Sequence, residues 1–413
     1  MTTTISENGE FADDYESDIA PYVQAGSAEF YRIAVSFFFA GFSTFVLIYC
    51  VQPLLPLFAE HYHVMAATSS LPLSLTLGCL ACSIMVMGAL SQQIGRKNLM
   101  LFSMFSAAIL NLIASIAPDW NTLLLARALE GFSLGGLPAV AMAYLAEEIE
   151  RKDLPKAMGI YIAGTAFGAM LGRVGMGTLT EFVTWQQAME ILGVLCLISA
   201  CAFAFLLPPS RHFHKTRNVG VRFHLQTWLG HLKNPSLQRV YALGFCLIGV
   251  FSTIYNYLSF RLFAEPYNMG PFQVSLIFLL FLLGTVSSSY TGAFINRIGS
   301  KPLLIVSFLF IFFGVLITQA EPLFLICVGI AMTTIGFFVG HSVASGLVGL
   351  LAKGNNGHAS SLYLLFYYMG ASIIGYLGGW FWHFGRWPGL SILTCAISLL
   401  AVYISARLKI SRT

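Results

Sequence analysis

Charge is scarce in this chain. Only 10% of its 413 residues are Asp, Glu, Lys or Arg, 57% are hydrophobic, and the mean hydropathy is +0.76. Soluble domains carry about 25% charged residues, so an ordinary soluble globular protein is excluded. Other things are missing too. There is no G-x-x-x-x-G-K-[ST] loop and no H-E-x-x-H, so neither ATP-driven pumping nor zinc proteolysis is indicated. The eight cysteines (Cys50, Cys79, Cys82, Cys196, Cys201, Cys246, Cys327, Cys395) have no metal-site spacing. They imply no disulfide framework and read as small apolar packers. Residues 1–30 lack an apolar core, which argues against a cleavable signal. Being acidic and rich in Ser, Thr and Gly, that segment is expected to be a disordered tail. A net charge of +4 gives no ground for a nucleic-acid partner. No cofactor or metal is implied. "GFSLG" at 131–135 fits the hydrolase pattern G-x-S-x-G, but it lies inside a helical run with no Asp/His pair nearby, and no enzyme is expected.

What the chain does have is apolar runs of about 20 residues, each long enough to cross a hydrocarbon core about 30 Å thick. Twelve spans are expected, near 33–58, 68–91, 98–117, 121–146, 156–179, 187–207, 239–263, 271–295, 301–319, 322–350, 357–383 and 388–407. With both termini inside, 18 of the 22 Lys and Arg fall on the cytoplasmic side. Only Arg261 and Arg386 are external, and Arg127 and Arg173 lie within spans. That asymmetry follows the positive-inside rule. Trp120, Trp185, Trp380, Trp382 and Trp387 fall near external ends, as an aromatic belt would.

Residues 208–238, opening with Pro208-Pro209, divide the spans into two sets of six: a bundle over 31–207 and a second over 239–407, with a short tail at 408–413. In this linker Phe223, Trp228, Leu229 and Leu232 either form one face of a membrane-surface helix or belong to a plain solvated loop. The halves echo each other. "GALSQQIGRK" (88–97) aligns with "GAFINRIGSK" (292–301) at an offset of 204, pairing Gly88, Gly95 and Lys97 with Gly292, Gly299 and Lys301. Internal repeats of matching topology are a transporter signature, with the substrate path between the repeats.

On these residues the chain resembles the major facilitator superfamily, in its twelve-span drug:proton antiporter branch, over essentially everything after residue 30. Gly88, Leu90, Ser91, Gly95, Arg96 and Lys97 match the family's loop signature G-x-L-a-D-r-x-G-R-K, and "RALEG" at 127–131 matches R-x-x-q-G of span 4. The resemblance implies an all-α polytopic fold of twelve transmembrane helices in two pseudo-symmetric six-helix bundles that rock to give alternating access. Spans 1, 4, 7 and 10 would line the cavity. It departs from the family where the loop Asp is replaced by Gln92, with Asn296 as repeat equivalent. An amide gives up the charge-assisted part of the family's cytoplasmic latch. Arg96 pairing with Glu147 or Glu148 would compensate. The alternative is that Arg96 and Lys97 only set topology.

Span 4 holds the expensive residues. Arg127 and Glu130, one turn apart, can partner each other. Of the 18 acidic residues, Glu130 alone lies deep in a span. If a carboxylate carries a coupling proton, it is Glu130, held ionised by Arg127. A pair that merely packs helices is the other reading. The family usually has Gln there, so this residue is the chain's own. Span 5 has glycines at 164, 168 and 172, but Ala169 where the antiporter signature has its Gly-Pro pair. Arg173 either snorkels outward or faces the cavity to attract an anion or Glu190. Neutral cavity candidates are Tyr49 and Gln52 in span 1, Ser252 and Asn256 in span 7, Thr334 and His341 in span 10, and Tyr363 and Tyr367 in span 11. His341 is titratable near neutral pH, though a buried, satisfied histidine is the commoner case. The expected function is proton-coupled export of small amphipathic or metabolite-like compounds by a monomer in the bacterial inner membrane. A facilitator or importer, and a transport-inactive sensor or scaffold, are the alternatives.

Overall fold

The computed structural model describes residues 21–212, 221–352 and 354–408, without side chains at positions 89, 92, 93 and 221. Of the expected tails 1–30 and 408–413, residues 1–20 and 409–413 therefore lie outside the described residues. The rest is helical; among the described residues extended pairing is limited to one bridge between Val23 and Ile149.

Eleven helices are long and apolar enough to cross a membrane: Ala28–His61, Leu71–Gly88, Arg96–Ser115, Trp120–Glu148, Leu154–Leu179, Trp185–Leu206, Pro235–Phe263, Pro271–Ser289, Ser300–Ile317, Leu323–Leu351 and Asn356–Ala406. The last, at 51 residues, would measure about 77 Å if straight, more than two hydrocarbon thicknesses. It is not straight. Arg386 breaks it with a non-helical backbone (φ 49°, ψ −140°), Pro388 follows, and Gly389 comes back against the Phe381 carbonyl. The two arms are spans 11 and 12, so the twelve crossings are present. They are numbered as spans 1–12 below.

The halves pack alike. Span 1 lies on span 5 and span 7 on span 11; span 2 lies on span 4 and span 8 on span 10; span 3 lies on span 6 and span 9 on span 12. Spans 2 and 11, and 5 and 8, join the halves. Glycines permit the closest approaches. A Cβ on Gly168 would lie 2.2 Å from the Phe42 carbonyl, and one on Gly370 would lie 2.2 Å from the Phe245 carbonyl. Gly95 and Gly299 adopt φ of +102° and +85°, which only glycine holds without strain, and each turns the chain from one span into the next. That is why both copies of the loop sequence carry them.

One end of the bundle, with Arg96, Lys97 and the linker, is called the basic end; the other carries Trp120, Trp185 and Trp387. Pro21–Ser27, assigned by sequence to a tail, is packed at the basic end. Val23 exchanges backbone hydrogen bonds with Glu148 and Glu150, and the Ala25 amide donates to Asp153. At the tryptophan end the expected belt is partly a set of internal braces. Trp185, Trp382 and Trp387 are buried, and Trp387 donates to Thr318 Oγ1 at 3.0 Å. Trp380 is exposed, as a belt residue should be.

Candidate functional site

Pro53 shapes the heart of the molecule. Lacking an N–H and clashing with the carbonyl four residues back, it ends the α-helix of span 1 at Tyr49. The chain continues through a 3-10 turn, Gln52–Leu54, into Leu55–His61. Such a stop leaves carbonyls without their intrahelical partners. Arg127 takes two of them: its Nη2 donates to Leu47 O at 3.1 Å and Ile48 O at 3.4 Å. Its Nη1 donates to Glu130 Oε2 at 2.5 Å. Both side chains are 0% exposed, and Arg127 Nε and Glu130 Oε1 have no hydrogen-bond partner among the described residues. Breaking such a buried pair from one side costs about 3–5 kcal/mol. The pair is sealed within the first bundle and does not line the cavity.

The same break presents Gln52 to the other half. Gln52 Nε2 donates to Asn256 Oδ1 at 2.7 Å, and its Oε1 accepts from Arg173 Nε at 2.6 Å. Arg173 does not snorkel outward; it is 2% exposed, its Nη1 donates to Ala169 O at 2.6 Å, and its guanidinium lies 3.8 Å from the Tyr49 ring centroid. With Ala169 in place of a Gly-Pro pair, span 5 runs unbroken over Leu154–Leu179. Next to this node the tryptophan end is closed. Glu181 Oε1 accepts from the Phe272 amide at 3.0 Å, and Gly177 and Gly379 abut Ser275 and Ala67 across the halves.

Toward the basic end the halves part around a cavity of about 660 Å³. Its walls come from spans 2 and 4 (Met85, Gly88, Pro138, Met142) and spans 10 and 11 (His341, Ser345, Ser361, Tyr363). The linker helix Val221–Leu232 closes its flank with His224 and Trp228. This helix is docked on the protein: His224 Nδ1 lies 2.9 Å from His358 Nε2, and Trp228 Nε1 donates to Ser361 Oγ at 3.1 Å. Of the eight neutral candidates, His341 and Tyr363 line the cavity and are 2.9 Å apart. Tyr367 packs behind them with its ring tilted, 4.6 Å from His341 between ring centroids. Tyr49, Gln52 and Asn256 belong to the closed node instead. Ser252 sits beside Gly375 on the seam of spans 7 and 11, and Thr334 is turned to the Tyr255 hydroxyl, 2.8 Å away. Span 2 and the linker histidine were not expected in the wall. Their signal was faint: a histidine between apolar residues in the linker, and Met85 in an otherwise featureless span.

At the basic rim Arg96 holds Glu147 through both carboxylate oxygens (Nη2–Oε1 2.6 Å, Nε–Oε2 3.2 Å) and donates to Ser91. Glu148 points elsewhere, accepting from Ser210 and from the Arg211 and His212 amides at 2.9 and 3.0 Å. Lys97 caps the end of span 6 through the Ala204 and Leu207 carbonyls. The Gln92 side chain lies outside the described residues, so its assignment as a gate residue has no geometry here.

A family model described as Major Facilitator Superfamily matches residues 37–264. Uncharacterized MFS-type transporter YybF of Bacillus subtilis (strain 168) is 41% identical over 387 residues, which cover 94% of this chain and 96% of the relative. Inner membrane transport protein YnfM of Escherichia coli (strain K12) is 38% identical over 413 residues, 98% of both chains. Among solved structures, the nucleoside transporter NupG superposes with a TM-score of 0.74 at 13% identity, covering 91% of this chain and 99% of that one. At that identity the likeness concerns the fold alone.

Proposed function

The chain belongs to the major facilitator superfamily and is a membrane transporter, and from that premise we propose that it exports small amphipathic or metabolite-like compounds in exchange for protons. The basic end faces the cytoplasm of the bacterial cell, where the positive-inside rule puts it. The cavity then opens inward, toward the compartment from which solute is taken.

One observation carries the coupling: the broken stretch of span 1 is held by Arg127 and Glu130 on one side and, four residues on, bonds the other half through Gln52. Glu130 holds Arg127, Arg127 holds the broken end of span 1, and the break presents Gln52 to Asn256 and Arg173. A proton arriving at Glu130 removes the only charge that balances Arg127 among the described residues. The guanidinium must then find other acceptors, and the element it holds is the end of span 1 that carries Gln52 to the other half. Protonation is thereby tied to which end is open, as exchange requires. Placement of the pair outside the cavity fits indirect coupling, in which proton and solute use different routes. It equally favours a second reading, uncoupled facilitation with Arg127 and Glu130 as a brace.

Proteoliposomes loaded with a pH-sensitive dye separate the two. Amphipathic compounds that evoke proton movement in the native protein should evoke none in Glu130→Gln, while compound uptake down its own gradient persists. Undiminished proton flux in a folded Glu130→Gln protein would leave facilitation as the function.

A further inference from the structure

Arg173 is a buried cation without an anion. Its hydrogen-bond acceptors are the Gln52 amide oxygen and the Ala169 carbonyl, both neutral, and no described carboxylate forms an ion pair with it. Arg127, at the same low exposure, has Glu130. Arg261, half-buried, caps the carbonyls of Thr318 and Ala320 at a helix end. Desolvated charges are normally paired, because isolation from both water and counter-ion is costly. An arginine kept this way where the two halves meet lacks the counter-ion that a negative group would supply.

Its surroundings describe the rest of that molecule. The guanidinium is ringed by Tyr49, Phe281 and Phe278, with ring centroids at 3.8, 4.5 and 5.4 Å. From the cavity, aromatic rings lead to it in contact with one another. His341 meets Tyr367 at 4.6 Å, Tyr367 meets Phe337 at 6.4 Å, Phe337 stacks on Phe251 at 3.9 Å, and Phe251 meets Phe281 at 5.2 Å. Among the described residues the cavity wall contains three histidines and Arg96, the last paired with Glu147 at the rim, and no Asp or Glu. Flat rings suit a flat apolar body, and a guanidinium fork suits a carboxylate better than any other side chain does.

We propose that the solute is a small organic monoanion, a carboxylate on an aromatic-sized apolar body, whose carboxylate Arg173 receives as the aromatic layer parts. This names the substrate class within the transport reading above and rests on that reading.

The test uses full-length protein in detergent at pH 7 and three probes with one skeleton: 2-naphthoate, 2-naphthamide and 2-naphthylmethylammonium. Calorimetric or thermal-shift titration should show the carboxylate binding tenfold or more tighter than the other two. Arg173→Gln should reduce 2-naphthoate to the level of the amide while leaving the amide unchanged, and Arg173→Lys should keep part of the preference. Equal binding of the three probes to the native protein, or a preference that survives Arg173→Gln, overturns the assignment. If Arg173→Gln does not fold, the probe series on native protein decides alone. The same probes in proteoliposomes separate the two readings. Carboxylate preference without flux upholds the anion site and removes transport of that anion. Flux of the amide or the ammonium without carboxylate preference upholds transport and overturns the substrate class.

Discussion

Spans 1 and 7 occupy equivalent places in the two halves, yet one is broken and the other is not. Pro53 interrupts span 1, while Tyr257 stands at the same repeat position in the continuous helix Pro235–Phe263. The contrast extends to their neighbours. At the offset of 204, Arg127 and Glu130 correspond to Ala331 and Thr334, Arg96 to Ser300 and Glu147 to Leu351. The first half holds an interrupted helix and the ions that satisfy its loose carbonyls. Its counterpart holds a continuous span 7 and neutral aromatic layers around Phe251, Phe281 and Phe337. One scaffold has been given two kinds of interior: an ion pair at a broken span 1 in one half, stacked rings beside a continuous span 7 in the other. Charge and helix interruption go together because each makes the other tolerable.

The comparison breaks most visibly if the ions are removed from one side. Arg127→Ala strands Glu130 and should destabilise the protein by about 3–5 kcal/mol, read as a large fall in the thermal midpoint. Adding Glu130→Thr gives the first half the residues of the second at these positions. It should recover most of the stability while pH-driven transport stays absent. A double variant no more stable than the single would mean that the pair is not what holds span 1. A smaller effect tests the packing the halves share. Gly168→Ala and Gly370→Ala each force a helix pair apart and should cost a similar amount, roughly 1–3 kcal/mol. Marked tolerance at one site, seen by thermal unfolding, would show that the two glycine contacts are not equivalent.

The smallest effect sharpens the contrast at a helix start. Asp119 caps span 4, and hydrogen bonds from the Thr122 amide and hydroxyl hold its carboxyl below the usual carboxylate range. Span 10 begins at Pro322 with no side-chain cap. A depressed carboxyl stabilises above its unfolded pKa, and that contribution fades as pH falls through the lower folded value. Asp119→Ala should therefore melt slightly earlier at neutral pH and converge with the native protein in strong acid. Pro322→Ala should show no such convergence.

Much of this was legible in the sequence. Apolar run length found the crossings, because a bilayer sets a length that composition must meet, and it separated spans 11 and 12 at Pro388 where helix geometry alone runs them together. The partnership of Arg127 and Glu130 follows from their spacing on one helix. Contacts between helices were harder. The aromatic ring around Arg173 comes from spans 1 and 8, and nothing local in either announces the other. Gln52 and Asn256 are both cavity candidates in the sequence and stand one repeat offset apart, yet their bond depends on how the halves dock. The cavity wall depends on docking in the same way. Tyr49 and Gln52 share a polarity with the lining residues Ser361 and Tyr363, but in this conformation the halves close over them.

Gln52 and Asn256 are 204 residues apart, the spacing of the repeat itself. A residue that touches its own counterpart lies on the axis relating the two halves. At such a point a duplicated chain meets itself, and the choice of side chain is narrow. Two carboxylates or two amines would repel, and two alkyl groups would carry no direction. An amide holds a donor and an acceptor together, so it can bond to its own kind, provided one copy gives and the other receives. Here Gln52 gives and Asn256 receives. The bond that joins the halves is thus also the point where their equivalence ends, and the group that Gln52 has left over, its oxygen, is the one that orients Arg173.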